Sequence, residues 1–173
     1  MAVTFCHRGP EAPIPQWVYS SNACRISRLL PGSHMLPSIL LCLFLVGASV
    51  MTHYETLRLL NDCLNNTDLF SARAKVLAAM VGAMASHLVQ IAIFALAFWL
   101  LRDKFGLGGF GGTFEDSLTS FLYFSSETYT TLGFGDIYPT GSLRLICGFE
   151  SLIGLLMVSW TASFTYLEMR RYW

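Results

Sequence analysis

Three stretches of this chain, residues 36–54, 76–101 and 143–167, are apolar for long enough to cross a lipid bilayer. The hydrocarbon core is about 30 Å thick and takes roughly 20 apolar residues of helix, so the first stretch just suffices and the other two do so easily. Composition agrees. The chain is 54% hydrophobic and only 13% charged, with a mean hydropathy of +0.52, outside the usual range of a water-soluble domain. The formal net charge is +0 and no dense basic patch occurs, which argues against nucleic acid as a partner. Cys6, Cys24, Cys42, Cys63 and Cys147 are odd in number and lack metal-ligand spacing, so neither a disulfide framework nor a zinc site is expected. Cys42 and Cys147 lie in apolar segments and read as packing residues. His53, His87 and Glu150 offer no nucleophile–base pair, and no enzyme is expected.

Between the second and third apolar stretches lies Thr130-Thr131-Leu132-Gly133-Phe134-Gly135-Asp136. In an ordinary strand successive carbonyls point to opposite sides. Turning them all to one side takes positive φ at alternate residues, which glycine adopts without steric cost. Gly133 and Gly135 stand at alternate positions, Thr131 adds a hydroxyl, and Leu132 and Phe134 are left to point away and pack. Such a row of oxygens suits a dehydrated alkali cation. One chain supplies one wall of the cage, so four copies around an axis are expected. Taken alone, Gly-Phe-Gly-Asp fits a turn between two helices equally well.

The flanks decide between the two. Tyr123-Phe124-Ser125-Ser126-Glu127-Thr128-Tyr129, the seven residues above, and Ile137-Tyr138-Pro139 together resemble the pore loop of prokaryotic potassium channels. Within that family the chain is most similar to the small proton-activated bacterial channels with two helices per subunit. The resemblance implies an all-α membrane protein: helix, re-entrant pore helix and filter loop, helix, here with one additional N-terminal transmembrane helix, forming a tetrameric pore. It implies passive potassium transport through a homotetramer in the bacterial plasma membrane, with potassium as permeant ion and no cofactor. The carbonyls of Thr131, Leu132, Gly133, Phe134 and Gly135, with the Thr131 hydroxyl, become the potassium ligands. Tyr123, Thr130, Glu127 and Asp136 become the filter's support, a carboxylic acid at 127 bonding a carboxylate at 136 at the filter's mouth. Two departures stand out. Phe134 replaces the usual tyrosine and Tyr123-Phe124 a tryptophan pair, so the bracing cuff is expected to be mostly packing, with selectivity kept by the carbonyls. A weakly selective cation channel and a non-conducting regulatory subunit are the alternatives.

The expected division is a disordered leader over 1–35, an additional spanning helix over 36–54, a cytoplasmic loop over 55–75, the pore module over 76–167 and a short cytoplasmic tail over 168–173. Within the leader, Gly32-Ser33-His34-Met35 matches a tag-cleavage scar, and a native start at Met35 is the other reading. Asn61-Asp62 and Asn65-Asn66 read as turn material. Residues 106–112 are glycine-rich and expected to be a flexible outer turret. Thr113 is the expected N-cap of a pore helix over 114–129, with Glu115 and Asp116 in its first turn. Gly141-Ser142 open the last helix. Phe98-Trp99 before Arg102 reads as an interfacial anchor, and Arg58, Arg73, Lys75, Arg170 and Arg171 all fall on the inner side if the filter faces out, which sets the N-terminus outside. No segment carries the repeated arginines of a voltage sensor.

Four residues inside spans invite explanation. His87 and Gln90 are expected to contact a neighbouring helix rather than a metal. Gly154 is either a gating hinge or, with Gly148, a close helix contact. Glu150 either braces the pore helix through Ser125, Thr128 or Thr119, or titrates during gating. Met157, Thr161 and Phe164 or Thr165 are candidates to line the cavity or gate.

Overall fold

The computed structural model describes residues 35–66 and 71–172; the leader expected over 1–35 lies, Met35 apart, outside the described residues. Three helices dominate: α1 (Met35–Asn65), α2 (Ala72–Asp103) and α4 (Leu143–Tyr172), with the short helix α3 (Leu118–Tyr129) between the last two. All three long helices have the length and apolarity to cross a membrane. Thirty residues of helix rise about 45 Å, so their ends extend past the hydrocarbon into the headgroup region. The fold is mostly helical, three long apolar helices with a short one between, consistent with the expected pore-loop fold carrying one additional helix. The chain is a multi-pass membrane protein.

α1 does not end near residue 54. It continues to Asn65, through most of the stretch expected to be a loop. Leu57 and Leu64, seven residues apart, are both buried, so one face of the extension remains packed. Its exposed side carries the Glu55–Arg58 ion pair at 3.7 Å and an Asn65-to-Asn61 hydrogen bond of 3.1 Å, pairings at helical spacing that hold asparagines otherwise suited to turns. α2 likewise begins at Ala72, ahead of residue 76, because the Ser71 hydroxyl caps it by accepting the Ala74 N–H.

Residues 106–112 are no flexible turret. Phe110–Gly112 forms strand β1, antiparallel to β2 (Ile137–Pro139), with Gly111 opposite Tyr138. The missing side chains that suggested flexibility are what let the two backbones meet. Gly109 and Thr140 add three bonds, among them the Thr140 N–H to the Gly109 carbonyl at 2.8 Å. Phe110 anchors the strand in an aromatic cluster, stacked on Phe114 at 4.8 Å and edge-on to Phe98, Phe121 and Phe124.

α3 starts at Leu118, four residues later than expected. Its cap is Ser117, whose hydroxyl accepts the Ser120 N–H at 3.2 Å. Thr113 is engaged elsewhere, its N–H donating to the Asp136 carbonyl at 2.9 Å. Asp116 precedes the cap and is gripped by both terminal nitrogens of Arg102 at 2.9 Å; Arg102 also lies over the Phe114 ring. The supposed anchor at the end of α2 therefore ties that end to the start of α3. At twelve residues, about 18 Å, α3 is too short to span.

α4 opens at Leu143 as expected and runs to Tyr172, so the segment assigned to a tail is helical. Arg171 there donates to Asn61 of α1 at 3.1 Å. Phe94 and Phe98 of α2, Phe121 of α3, and Leu143 and Ile146 of α4 form the fully buried centre. Below it α3 ends against α4 at Gly154, where a Cβ would overlap the Tyr129 carbonyl oxygen, whereas one at Gly148 would meet nothing within 4 Å. The close-contact reading therefore holds for Gly154 and not for Gly148.

This contact makes a stability prediction. Gly154→Ala has to push α3 and α4 apart and should cost about 1–3 kcal/mol, the usual range for overpacking. Gly148→Ala should leave the protein as stable or slightly more so. Thermal unfolding of both variants in detergent micelles checks the contrast.

Candidate functional site

The loop joining α3 to β2 is the least ordinary backbone in the molecule. φ is +59° at Thr131, +55° at Gly133 and +80° at Gly135, and among the described residues Thr131 is the one non-glycine with positive φ. Left-handed conformation thus alternates with Leu132 and Phe134, the pattern that turns successive carbonyls to one side. At Thr131 it carries a cost of roughly 1–2 kcal/mol, which something must hold in place.

Glu127 holds it. Its backbone carbonyl accepts the N–H groups of Leu132 at 2.9 Å and Gly133 at 3.3 Å, and its carboxylate oxygen Oε2 accepts the Phe134 N–H at 3.1 Å. The Thr131 N–H donates to the Thr128 carbonyl at 3.0 Å. Four consecutive N–H groups are therefore drawn to the end of α3. Among the described residues no hydrogen bond reaches the carbonyls of 131 to 135. Donors are satisfied on one side and acceptors stand open on the other. Thr130 closes α3, its hydroxyl donating to the Ser126 carbonyl at 2.7 Å.

Leu132 and Phe134 find little to pack on within their own chain: their exposures are 60% and 66%. Phe134 stacks on Tyr123 with ring centroids 6.5 Å apart and an interplanar angle of 2°. Tyr123 also donates its hydroxyl to both carboxylate oxygens of Asp136, at 3.1 and 3.3 Å. The bracing around the loop is therefore more than packing. Among the described residues Glu127 and Asp136 make no hydrogen bond to each other, because the first receives Phe134 and the second Tyr123. Glu127 is nearly buried, at 4% exposure. Burial raises its pKa above the ordinary carboxylate value, the Phe134 N–H opposes this, and the Asp136 charge adds to it.

Glu150 is fully buried on α4, and of its three expected partners it meets Ser125. Ser125 Oγ lies 2.5 Å from Glu150 Oε1 and 2.8 Å from the Ile91 carbonyl. This is bracing: the three-membered chain ties α4, α3 and α2 together. Thr128 bonds instead through its carbonyl to the Ser151 hydroxyl at 3.1 Å.

His87 and Gln90 both reach the Tyr129 hydroxyl, His87 Nδ1 at 2.9 Å and Gln90 Oε1 at 3.0 Å. The neighbouring-helix reading is the one the geometry carries. The four gate candidates do not share one open face. Met157 is in the core, and Thr161 turns toward His53 and His87. Tyr129 and His53 escaped notice as partners. The available signal was polar side chains inside apolar spans, which says that partners exist without naming them.

Residues 86–169 match the family described as ion channel. No curated protein and no solved structure matches the chain. The matched segment takes in the second half of α2, the two strands, α3, the alternating loop and nearly all of α4. Over that segment the chain carries an ion-channel domain of the pore-loop kind, which is not an enzyme family.

The Glu127 environment gives a pH prediction with a definite sign. A carboxyl whose folded pKa lies above its unfolded value binds more protons in the folded state between the two, so stability falls as pH rises through that window. Above the folded pKa the penalty is complete; below the unfolded pKa it vanishes. Glu127→Gln should remove this part of the slope. Unfolding midpoints of both proteins across pH in detergent micelles check it.

Proposed function

We propose that the chain is a potassium-selective channel that conducts passively through a homotetrameric pore. The observation that carries this reading is the alternation of φ at 131, 133 and 135, with its N–H side drawn to α3 and its carbonyls unengaged. Carbonyl oxygens of Thr131, Leu132, Gly133, Phe134 and Gly135, with the Thr131 hydroxyl, replace the water shell of a potassium ion. Irregular backbone at membrane depth is tolerated where it lines a wet cavity, and four such loops around an axis make one. The exposure of Leu132 and Phe134 supports an assembly, since those side chains lack cover that neighbouring copies would provide. The C-terminal end of α3 brings partial negative charge toward the cavity below the filter, where a cation benefits.

Arg58, Arg73, Lys75, Arg170 and Arg171 occupy the ends of the long helices remote from the loop, near the Arg171–Asn61 contact. The positive-inside rule then puts that end in the cytoplasm, the loop at the outer mouth, and the start of α1 outside. A bacterial plasma membrane is the proposed location. A weakly selective cation channel is the second reading. It draws on Phe134, which has no hydroxyl and rests on Tyr123 at a loose 6.5 Å, leaving the filter less firmly braced.

Purified protein in liposomes tests both. Potassium flux should appear, its reversal potential should follow the potassium gradient rather than the sodium gradient, and Gly135→Ala, which forces a side chain onto φ of +80°, should abolish it. A reversal potential midway between the two gradients favours the weakly selective pore.

A further inference from the structure

Between α1 and α2, toward the end of the helices that carries the two strands, lies a cavity of about 410 Å³. α1 lends it Leu41, Phe44 and Leu45, α2 lends it Ile93, Ala97 and Leu100, and every side chain that lines it is hydrocarbon. Leu45 and Ala97 are buried, whereas Phe44 and Leu100 are exposed. The first two make a floor and the second two a rim, so the cavity is a groove open to the side. α3 packs on another face of α2, with Phe98 edge-on to Phe124 at 5.2 Å. The groove therefore keeps to the lipid side when copies of the chain close around the loop.

Its dimensions select what can lie in it. From Ile93 to Lys104 the helix rises about 16 Å, and the cavity drawn out over that length is roughly 25 Å² in cross-section. A helix, about 10 Å across, needs three times as much. A single extended hydrocarbon chain fits. An extended peptide does not suit it, because a wholly apolar lining offers no partner to backbone N–H and C=O groups.

At the strand end the groove meets a charge. Lys104 keeps right-handed helical backbone, with φ −99° and ψ −36°, and so prolongs the row of Ile93, Ala97 and Leu100 at helical spacing. It is exposed, and among the described residues no hydrogen bond or ion pair engages its ammonium. The neighbouring carboxylates of Asp103 and Asp116 are paired with Arg102, at 3.5 and 2.9 Å. A lysine at the end of a span lays its stem along apolar surface and holds its charge at headgroup level.

We propose that the groove seats one acyl chain of an anionic phospholipid whose phosphate meets Lys104. A phosphatidylcholine headgroup brings its own cation to its phosphate; phosphatidylglycerol does not, and leaves the phosphate for the lysine. Leu41, Phe44 and Leu45 precede residues 86–169, the segment that matches the ion channel family. The additional helix thus supplies half of a lipid site that the channel domain alone lacks. The site requires that the chain span a membrane and not that its pore conduct.

Phospholipids with brominated acyl chains test this, because bromine quenches an indole that it touches. The full chain carries Phe44→Trp as reporter, with Trp17→Phe, Trp99→Phe, Trp160→Phe and Trp173→Phe. It is placed in phosphatidylcholine vesicles with a small fraction of brominated phosphatidylglycerol or, in parallel, of brominated phosphatidylcholine. The anionic lipid should quench the reporter with about fivefold higher apparent affinity, the factor one lysine gives at a membrane surface. Lys104→Gln, a change at an exposed position, should bring that affinity down to the neutral lipid's. Ala97→Phe, which fills the floor and keeps the lysine, should do the same. Equal quenching by the two lipids in the parent marks ordinary boundary lipid and overturns the proposal. A preference that survives either substitution overturns it too, as does the absence of quenching, which means that protein covers the groove.

Discussion

At membrane depth a backbone N–H or C=O has no water to turn to, and the arrangement of this chain follows from how that demand is met. The three long helices meet it internally. The loop after α3 meets half of it: Glu127 and Thr128 gather the N–H groups of 131 to 134, and the carbonyls opposite are left over. An unsatisfied acceptor in hydrocarbon costs several kcal/mol. Five in a row, on a strained backbone, are what the proposed pore accounts for. There a column of cations occupies that side.

Holding such a loop takes a rigid frame, and the frame is built from buried polar side chains as much as from the aromatic core. Glu150 and Ser125 tie α4 to α3 and, through the Ile91 carbonyl, to α2. Arg102 and Asp116 fix the other end of α3 to the end of α2. Tyr123 and Asp136 brace the loop's outer edge. Hydrogen bonds among His53, His87, Gln90, Tyr129 and Thr161 link all four helices where α3 ends. Each link leaves a group unpaired if one partner is removed, so the links favour one arrangement of helices over its neighbours.

Much of this was legible in the amino-acid sequence, and the failures have identifiable causes. Gly133 and Gly135 announce alternating φ because glycine is the residue that adopts it cheaply; Thr131 takes the same conformation with no such signal, since its strain is held by hydrogen bonds from α3. The three spans were evident from hydropathy, but their ends were not. α1 outlasts its apolar run because Leu57 and Leu64 keep a buried face, and α4 outlasts Leu167 in the same way, tied to Asn61 through Arg171. The start of α3 was misjudged because Thr113 and Ser117 are both competent caps, and pairing with Asp136 claims the first. Residues 106–112 look flexible by composition and are ordered by a strand partner more than twenty residues away. Polar residues in spans declared that they had partners, but which ones depends on helix rotation, which no single apolar segment encodes.

The account stands or falls on whether monovalent cations occupy the open side of this loop on a symmetry axis. Crystals of the full chain grown in a rubidium salt and measured at the rubidium absorption edge address that directly. A file of anomalous peaks on a fourfold axis, at the heights of the carbonyls of 131 to 135, is the result the account predicts. Peaks absent from that loop, or a loop lying far from any axis, would contradict it.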